Sequence, residues 1–196
     1  MTDIVIHNIS KSYAGKIVLN HFSAVVPAGK ITCIMAPSGS GKTTLLRILM
    51  GLEDPDSGQI TGLSGLRRSA VFQEDRLCEN LNPIANIRLT AAHATIEQVL
   101  EAMHTVGLVN CESQPICEFS GGMKRRVAIL RALMSQYDIL FLDEPFRGLD
   151  TVTKEFVMKY TLESCKGFTV ILVTHDPAEA EFFSAGQVIA LQESLI

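Results

Sequence analysis

No apolar run in this 196-residue chain comes near the roughly 20 residues that a membrane-spanning helix needs. The apolar stretches at 139–142 and 170–173 are typical of it. Tryptophan is absent, and the five cysteines (Cys33, Cys78, Cys111, Cys117, Cys165) show no CxxC spacing. Their odd number, with no leader in view, reads as reduced thiols in small apolar or surface positions. Met1-Thr2-Asp3-Ile4 has no basic stretch followed by an apolar one, so no secretory signal is expected. Positive charge is in deficit: 17 Lys and Arg stand against 21 Asp and Glu, for a net charge of −4. That balance argues against a surface built for bulk nucleic acid or anionic lipid. Charged residues make up only 19% and hydrophobic ones 47%, which excludes a disordered chain. The length suits one domain, or a main body carrying a small subdomain.

What is present is an alternation of strand and helix signals without repeats, low-complexity tracts or linkers. Ile4 and Ile6, and the apolar positions of 17–26, alternate as half-buried strands do. A short buried strand over 30–35 runs into a Gly/Ser/Pro turn, and helical spacing over 43–50 stops at Gly51. Another strand is predicted at 68–72. Residues 95–106 carry Ile96, Val99, Leu100 and Met103 at helical spacing, and Ser120 is placed to cap a helix over 120–134. Segments 138–142, 168–173 and 187–191 read as strands, with helices over 151–165 and 177–183 between them. This order predicts an α/β fold: a parallel sheet with crossover helices, an N-terminal antiparallel β subdomain, and a helical subdomain inserted over 74–135 into a core of 1–73 and 136–196.

The turn after the 30–35 strand is Ala36-Pro37-Ser38-Gly39-Ser40-Gly41-Lys42-Thr43, followed by Thr44. Between a buried strand and a helix start, this composition fits a phosphate loop. Gly39 and Gly41 let backbone N–H groups turn inward toward phosphate oxygens, and the helix N-terminus adds its positive dipole end. Lys42 reaches the β- and γ-phosphates, Thr43 offers a hydroxyl to Mg²⁺, and Thr44 one to the α-phosphate. The alternative is an ordinary Gly/Ser turn with a surface lysine. Ala36 stands where the GxxxxGK[ST] pattern has its first glycine; Pro37 biases it toward extended angles that alanine tolerates.

The apolar strand 139–142 ends in two acids. Asp143 at its tip is placed to hold Mg²⁺ beside the phosphate loop. Glu144, one residue on, is placed to take a proton from an attacking water. Alone, the pair would read equally well as solvated acids at a strand end. Farther back, Ser120-Gly121-Gly122 opens a helix and is a second anion site. Its alternative is a capped helix whose Lys124, Arg125 and Arg126 form a solvated basic face.

The ordered series is a phosphate loop, Gln73 within 71–77, Ser120-Gly121-Gly122, Asp143-Glu144, Gly148-Leu149-Asp150 and Thr174-His175-Asp176. It resembles the ATP-binding-cassette ATPases, from Tyr13 to the last strand. The resemblance implies a P-loop NTPase core, ATP and Mg²⁺ as cofactors, and hydrolysis coupled to transport. It implies that Tyr13 stacks on adenine, and that Gln73 touches Mg²⁺ and water while sensing a membrane partner. It implies that Ser120-Gly121-Gly122 closes on the γ-phosphate held by a second subunit, that Asp150 links the two sites, and that His175 contacts the γ-phosphate. His7, His21, His93 and His104 have no companions at metal spacing and read as structural. Phe119 and Met123 depart from the usual residues at the edges of the Ser-Gly-Gly motif, and Arg147 stands where a small residue is commoner.

Phe72-Gln73-Glu74-Asp75-Arg76-Leu77 and the Ser120–Arg126 stretch are similar to the nitrate, sulfonate and taurine importer group. The partners so implied are separate permease subunits, a second copy of the chain on ATP binding, and indirectly an extracytoplasmic solute-binding protein; no nucleic acid is expected. The place implied is the cytoplasmic face of the membrane. A soluble cassette ATPase that remodels a protein or nucleic-acid complex is the alternative; those involved in translation usually carry two cassettes in one chain and a basic linker.

Overall fold

The computed structural model describes residues 2–35, 37, 39–183 and 187–191. The chain divides into two compact units: Met1–Arg68 with Asp138–Asp143 and Gly167–Ile196, and Ser69–Tyr137 with Glu144–Lys166.

Two sheets build the first unit. β1 (Ile4–Tyr13), β2 (Lys16–Val26) and β4 (Ser57–Thr61) form an antiparallel sheet in the order β2-β1-β4. Ile4 and Ile6 are buried on one face of β1, as the alternation predicts; Ile9 is buried too, after a register shift that passes through Asn8 at φ 51°. The parallel strands run in the order β6 (Ile139–Asp143), β7 (Thr169–Thr174), β3 (Ile31–Met35) and β8 (Gln187–Ala190). Every residue of β6 and β7 is buried. Strands covered on both faces read as continuous apolar runs, which is why 139–142 and 170–173 were legible as strands.

Helix α1 (Lys42–Leu49) packs against β6, and α6 (Pro177–Phe183) against β3 and β7. α1 buries Leu45, Leu46, Ile48 and Leu49. Each such side chain contributes about 1.5–3 kcal/mol relative to exposure, and together they pin the helix start at the end of β3.

The second unit is mostly helical: α2 (Pro83–Arg88), α3 (Ile96–Thr105), α4 (Gly121–Leu133) and α5 (Thr151–Ser164), entered through β5 (Arg68–Val71). α4 touches α2, α3 and α5. Local chemistry sets the helix starts. Asn82 caps α2, a reciprocal Thr95–Gln98 capping box starts α3, and the Ser120 and Asp150 side chains accept from Met123 and Thr153 N–H to start α4 and α5. β4 and α2 were not predicted. Among the described residues no helix is long and apolar enough to cross a membrane.

Candidate functional site

In the first unit, β3 feeds the Gly/Ser turn and the turn feeds α1. Ala36 and Ser38 lie outside the described residues. Gly41 sits at the α1 N-cap in the left-handed region, φ 89°, and makes no side-chain cap. A Cβ there would lie 2.7 Å from the Val18 carbonyl oxygen, so only glycine fits. The first N–H groups of α1 are therefore left to the turn and to whatever it cradles. Lys42 is buried, and its ammonium donates to the Pro37 carbonyl at 2.7 Å. The Ser40 hydroxyl donates to the same carbonyl at 2.8 Å. The lysine thus lies back along the loop, where it can swap a carbonyl for a phosphate oxygen. Thr44, one turn in, is half-buried.

The β6 tip brings a carboxylate to that helix start. The Thr43 hydroxyl donates to Asp143 Oδ2 at 3.3 Å, with Asp143 almost fully buried. A hydroxyl and a carboxylate are both hard oxygen donors, the type Mg²⁺ selects, so these two residues fit the ion.

His175 follows β7 and is exposed. The Thr174 hydroxyl donates to the buried Glu179 Oε2 at 2.5 Å and accepts from the Asp176 N–H at 3.0 Å. The residues on both sides of His175 are thereby anchored. At the end of β1, Tyr13 is 44% exposed, its hydroxyl donates to the Glu53 carboxylate, and Lys11 Nζ lies 5.6 Å from the ring centroid. That hydrogen bond to Glu53 pushes the Tyr13 phenol above its ordinary range.

In the second unit, Ser120, Gly121 and Gly122 start α4 as expected. Ser120 Oγ accepts from Met123 N at 3.3 Å, and a Cβ on Gly121 would meet nothing within 4 Å. The helix start is open. The basic face that follows is not a solvated one, however. Lys124 pairs with Glu79 at 2.8 Å. Arg126 donates from Nη1 to the carbonyls of Val106 and Gly107 at 2.9 and 3.0 Å. Arg125 is buried and donates to several backbone carbonyls. One signal was available: Arg125 shares a helical face with Ala128 and Ile129, which are buried.

Glu144 is buried and has φ +46°. A non-glycine residue in that region costs on the order of 1–3 kcal/mol, and such costs cluster at functional positions. Arg147 Nη1 lies 3.6 Å from Glu144 Oε2, with the arginine side chain 70% exposed. The departure noted in the sequence therefore addresses the carboxylate assigned as base. Asp150 appears as the α5 cap, accepting from Thr153 N at 3.0 Å, and those hydrogen bonds lower its pKa. Gln73 is exposed, and its carbonyl accepts from Arg125 at 3.3 Å. Asp75 pairs with Arg125 at 3.1 Å. Glu74 remains exposed and Arg76 stacks on the Phe72 ring at 4.0 Å.

The Arg147–Glu144 pair suggests a brake. The ion pair engages the carboxylate that the sequence reading expects to accept a proton. Half-exposed pairs contribute up to about 1 kcal/mol, so Arg147→Ser is expected to raise basal turnover about two- to five-fold. Steady-state phosphate release measures it; unchanged or lower turnover contradicts this role.

A strand, a glycine-bound loop, a helix start with an inward lysine, and a Thr–Asp oxygen pair together define a P-loop nucleotide-binding core. Residues 19–147 match the profile of the ABC transporter family. The aliphatic sulfonates import ATP-binding protein SsuB 1 of Rhodococcus jostii is 42% identical over 179 residues, covering 88% of this chain and 72% of that protein. The aliphatic sulfonates import ATP-binding protein SsuB of Shigella sonnei is 36% identical over 203 residues, covering 100% of this chain and 79% of that protein. A dimeric, post-hydrolysis structure of the ATP-binding cassette MJ0796, bound to ADP and Pi, aligns with TM-score 0.84 and 28% identity over 97% of this chain and 94% of that one. The chain belongs to the ABC transporter family and is an ATP-binding and hydrolysing subunit of it.

Proposed function

We propose that the chain drives import of an alkyl sulfonate or a chemically similar small anion, as a peripheral subunit at the cytoplasmic face of a membrane. The observation that carries the ATPase part is the Thr43–Asp143 oxygen pair at the start of α1, 3.3 Å apart, beside a buried lysine. The sulfonate part is supported by the aliphatic-sulfonate importers to which the chain is similar over most of its length.

In this reading the 36–41 turn and Lys42 take the β- and γ-phosphates, with Thr44 at the α-phosphate and Tyr13 against the base. Thr43, Asp143 and Gln73 are the groups that would hold Mg²⁺, which when bound neutralises charge between the β- and γ-oxygens. Glu144 accepts a proton from the water that attacks the γ-phosphorus. The bond to the β,γ-bridging oxygen breaks, giving ADP and inorganic phosphate. His175 donates to the γ-phosphate as charge moves onto the leaving oxygen. Ser120-Gly121-Gly122 of a second copy completes the site, and Asp150 lies on the path between the two sites. The partners are separate permease subunits and, through them, a solute-binding protein outside the membrane.

The test uses sealed vesicles containing the chain co-expressed with its permease and supplied with the binding protein. ATP inside the vesicles is expected to drive uptake of a labelled alkanesulfonate, and uptake is expected to stop when Mg²⁺ is chelated. In parallel, Asp143→Asn is expected to lower ATP turnover at least about ten-fold by weakening the hold on the ion. ATP hydrolysis without uptake of any sulfonate, nitrate or taurine would refute the solute class. Full turnover in Asp143→Asn would refute the metal assignment.

A further inference from the structure

Arg125 is a buried cation whose guanidinium is hydrogen-bonded along both edges. Its side chain is 5% exposed. Nη1 donates to the Phe72 carbonyl at 2.5 Å, to the Gln73 carbonyl at 3.3 Å and to Asp75 Oδ1 at 3.1 Å. On the other side, Nε donates to the Pro145 carbonyl at 2.8 Å and Nη2 to the Glu144 carbonyl at 2.6 Å. One planar group thus bonds two segments more than 60 residues apart in sequence, and it rides on the helix that Ser120 starts. All of these residues belong to the second unit.

The fork geometry matters. A guanidinium presents donors in a fixed plane, so a carbonyl that moves on one edge drags or breaks the bonds on the other. Water does not substitute for the partners of a cation buried to this degree, so the segments move with it or leave it stranded. Glu144 sits in the left-handed region, a conformation held only by surroundings that over-determine it, and its carbonyl is one of the two that Arg125 holds.

We propose that Arg125 is a positioning residue that ties the Gln73 segment (72–75) to the Glu144–Pro145 turn, so that displacement of the first by a partner changes the placement of the base on the second. This rests on the reading of Glu144 as base. Lysine, a point charge with no fork, does not replace it; glutamine keeps one donor group and loses the tie.

The experiment perturbs one edge and reads the other. Asp75 is 25% exposed, and its Oδ1 accepts from Arg125 Nη1, the nitrogen that also donates to the Phe72 and Gln73 carbonyls. In the full chain, Asp75→Asn is expected to speed amide exchange at 72–76 and also at 144–147, by about ten-fold each, while β6 and β7 stay as protected as before. Turnover is expected to fall several-fold, with the KM for ATP within two-fold. In an Arg125→Gln background, Asp75→Asn is expected to change neither exchange at 144–147 nor turnover further. Faster exchange confined to 72–76, or additive effects in the double variant, overturns the proposal. If Arg125→Gln does not fold, the single Asp75→Asn comparison decides alone. A failure of the base assignment looks different: Glu144→Gln then turns over normally while the exchange at the two segments remains linked.

Discussion

Glu144→Gln is expected to bind ATP with affinity within about two-fold of wild type and to lose at least about 100-fold in turnover. That loss corresponds to about 2.7 kcal/mol in the barrier. The substitution keeps size and shape, so the φ +46° turn and the Arg125 bond to the residue's carbonyl are preserved. What changes is that the side chain no longer carries a negative oxygen to accept a proton. The Lys42 loop and the Thr43–Asp143 pair, to which the proposal assigns the nucleotide, are untouched. Equilibrium binding of labelled ATP and single-turnover hydrolysis separate the two quantities. A variant that hydrolyses ATP near the wild-type rate shows that another group takes the proton. A variant that fails to bind ATP assigns Glu144 to the binding site instead.

That expectation was open to reading from sequence because its elements are local. A buried strand announces itself by an unbroken apolar run, and a glycine turn between strand and helix has few other uses. Hence β3, α1, β6 and β7 were predicted within a residue or two. β4 was not, because Ser57-Gly58-Gln59-Ile60-Thr61 has little strand propensity and is mostly exposed. Its Gly58 is there for another reason: a Cβ would lie 2.4 Å from the Asn8 carbonyl oxygen, so the close pairing with β1 demands glycine. α2 was missed because six residues starting at proline are too few to show a period.

The site divides the same way. Loop and carboxylates depend on neighbours in sequence, whereas the Arg125 tie depends on segments far apart, which one-dimensional spacing does not reveal. Its helical face gave a hint, but a Lys-Arg-Arg run invites the reading of a solvated surface. Arg147 was visible as a departure; its place 3.6 Å from the Glu144 carboxylate was not, because spacing along the chain does not show where a side chain turns.

The proposed mechanism places ATP between Lys42 of one subunit and Ser120 of another. Both are open helix starts, one in each compact unit of the chain. A two-fold pair of chains arranged head to tail makes two composite sites. Lys42→Ala removes the ammonium that the proposal assigns to the phosphates. Ser120→Arg puts a long cation at the other helix start; the lost cap costs about 1 kcal/mol, which a well-packed helix such as α4 withstands. Either homodimer has both sites broken. A mixed dimer has one doubly broken site and one intact site. Random 1:1 mixing makes about half the dimers mixed, so up to about a quarter of wild-type sites return. Mixing the two purified inactive variants and following phosphate release is the most direct test. Recovered turnover that rises with protein concentration, toward a quarter of the wild-type value, is the expected result. No recovery from variants that both still dimerise, with wild-type activity strictly first order in protein, would contradict the shared site.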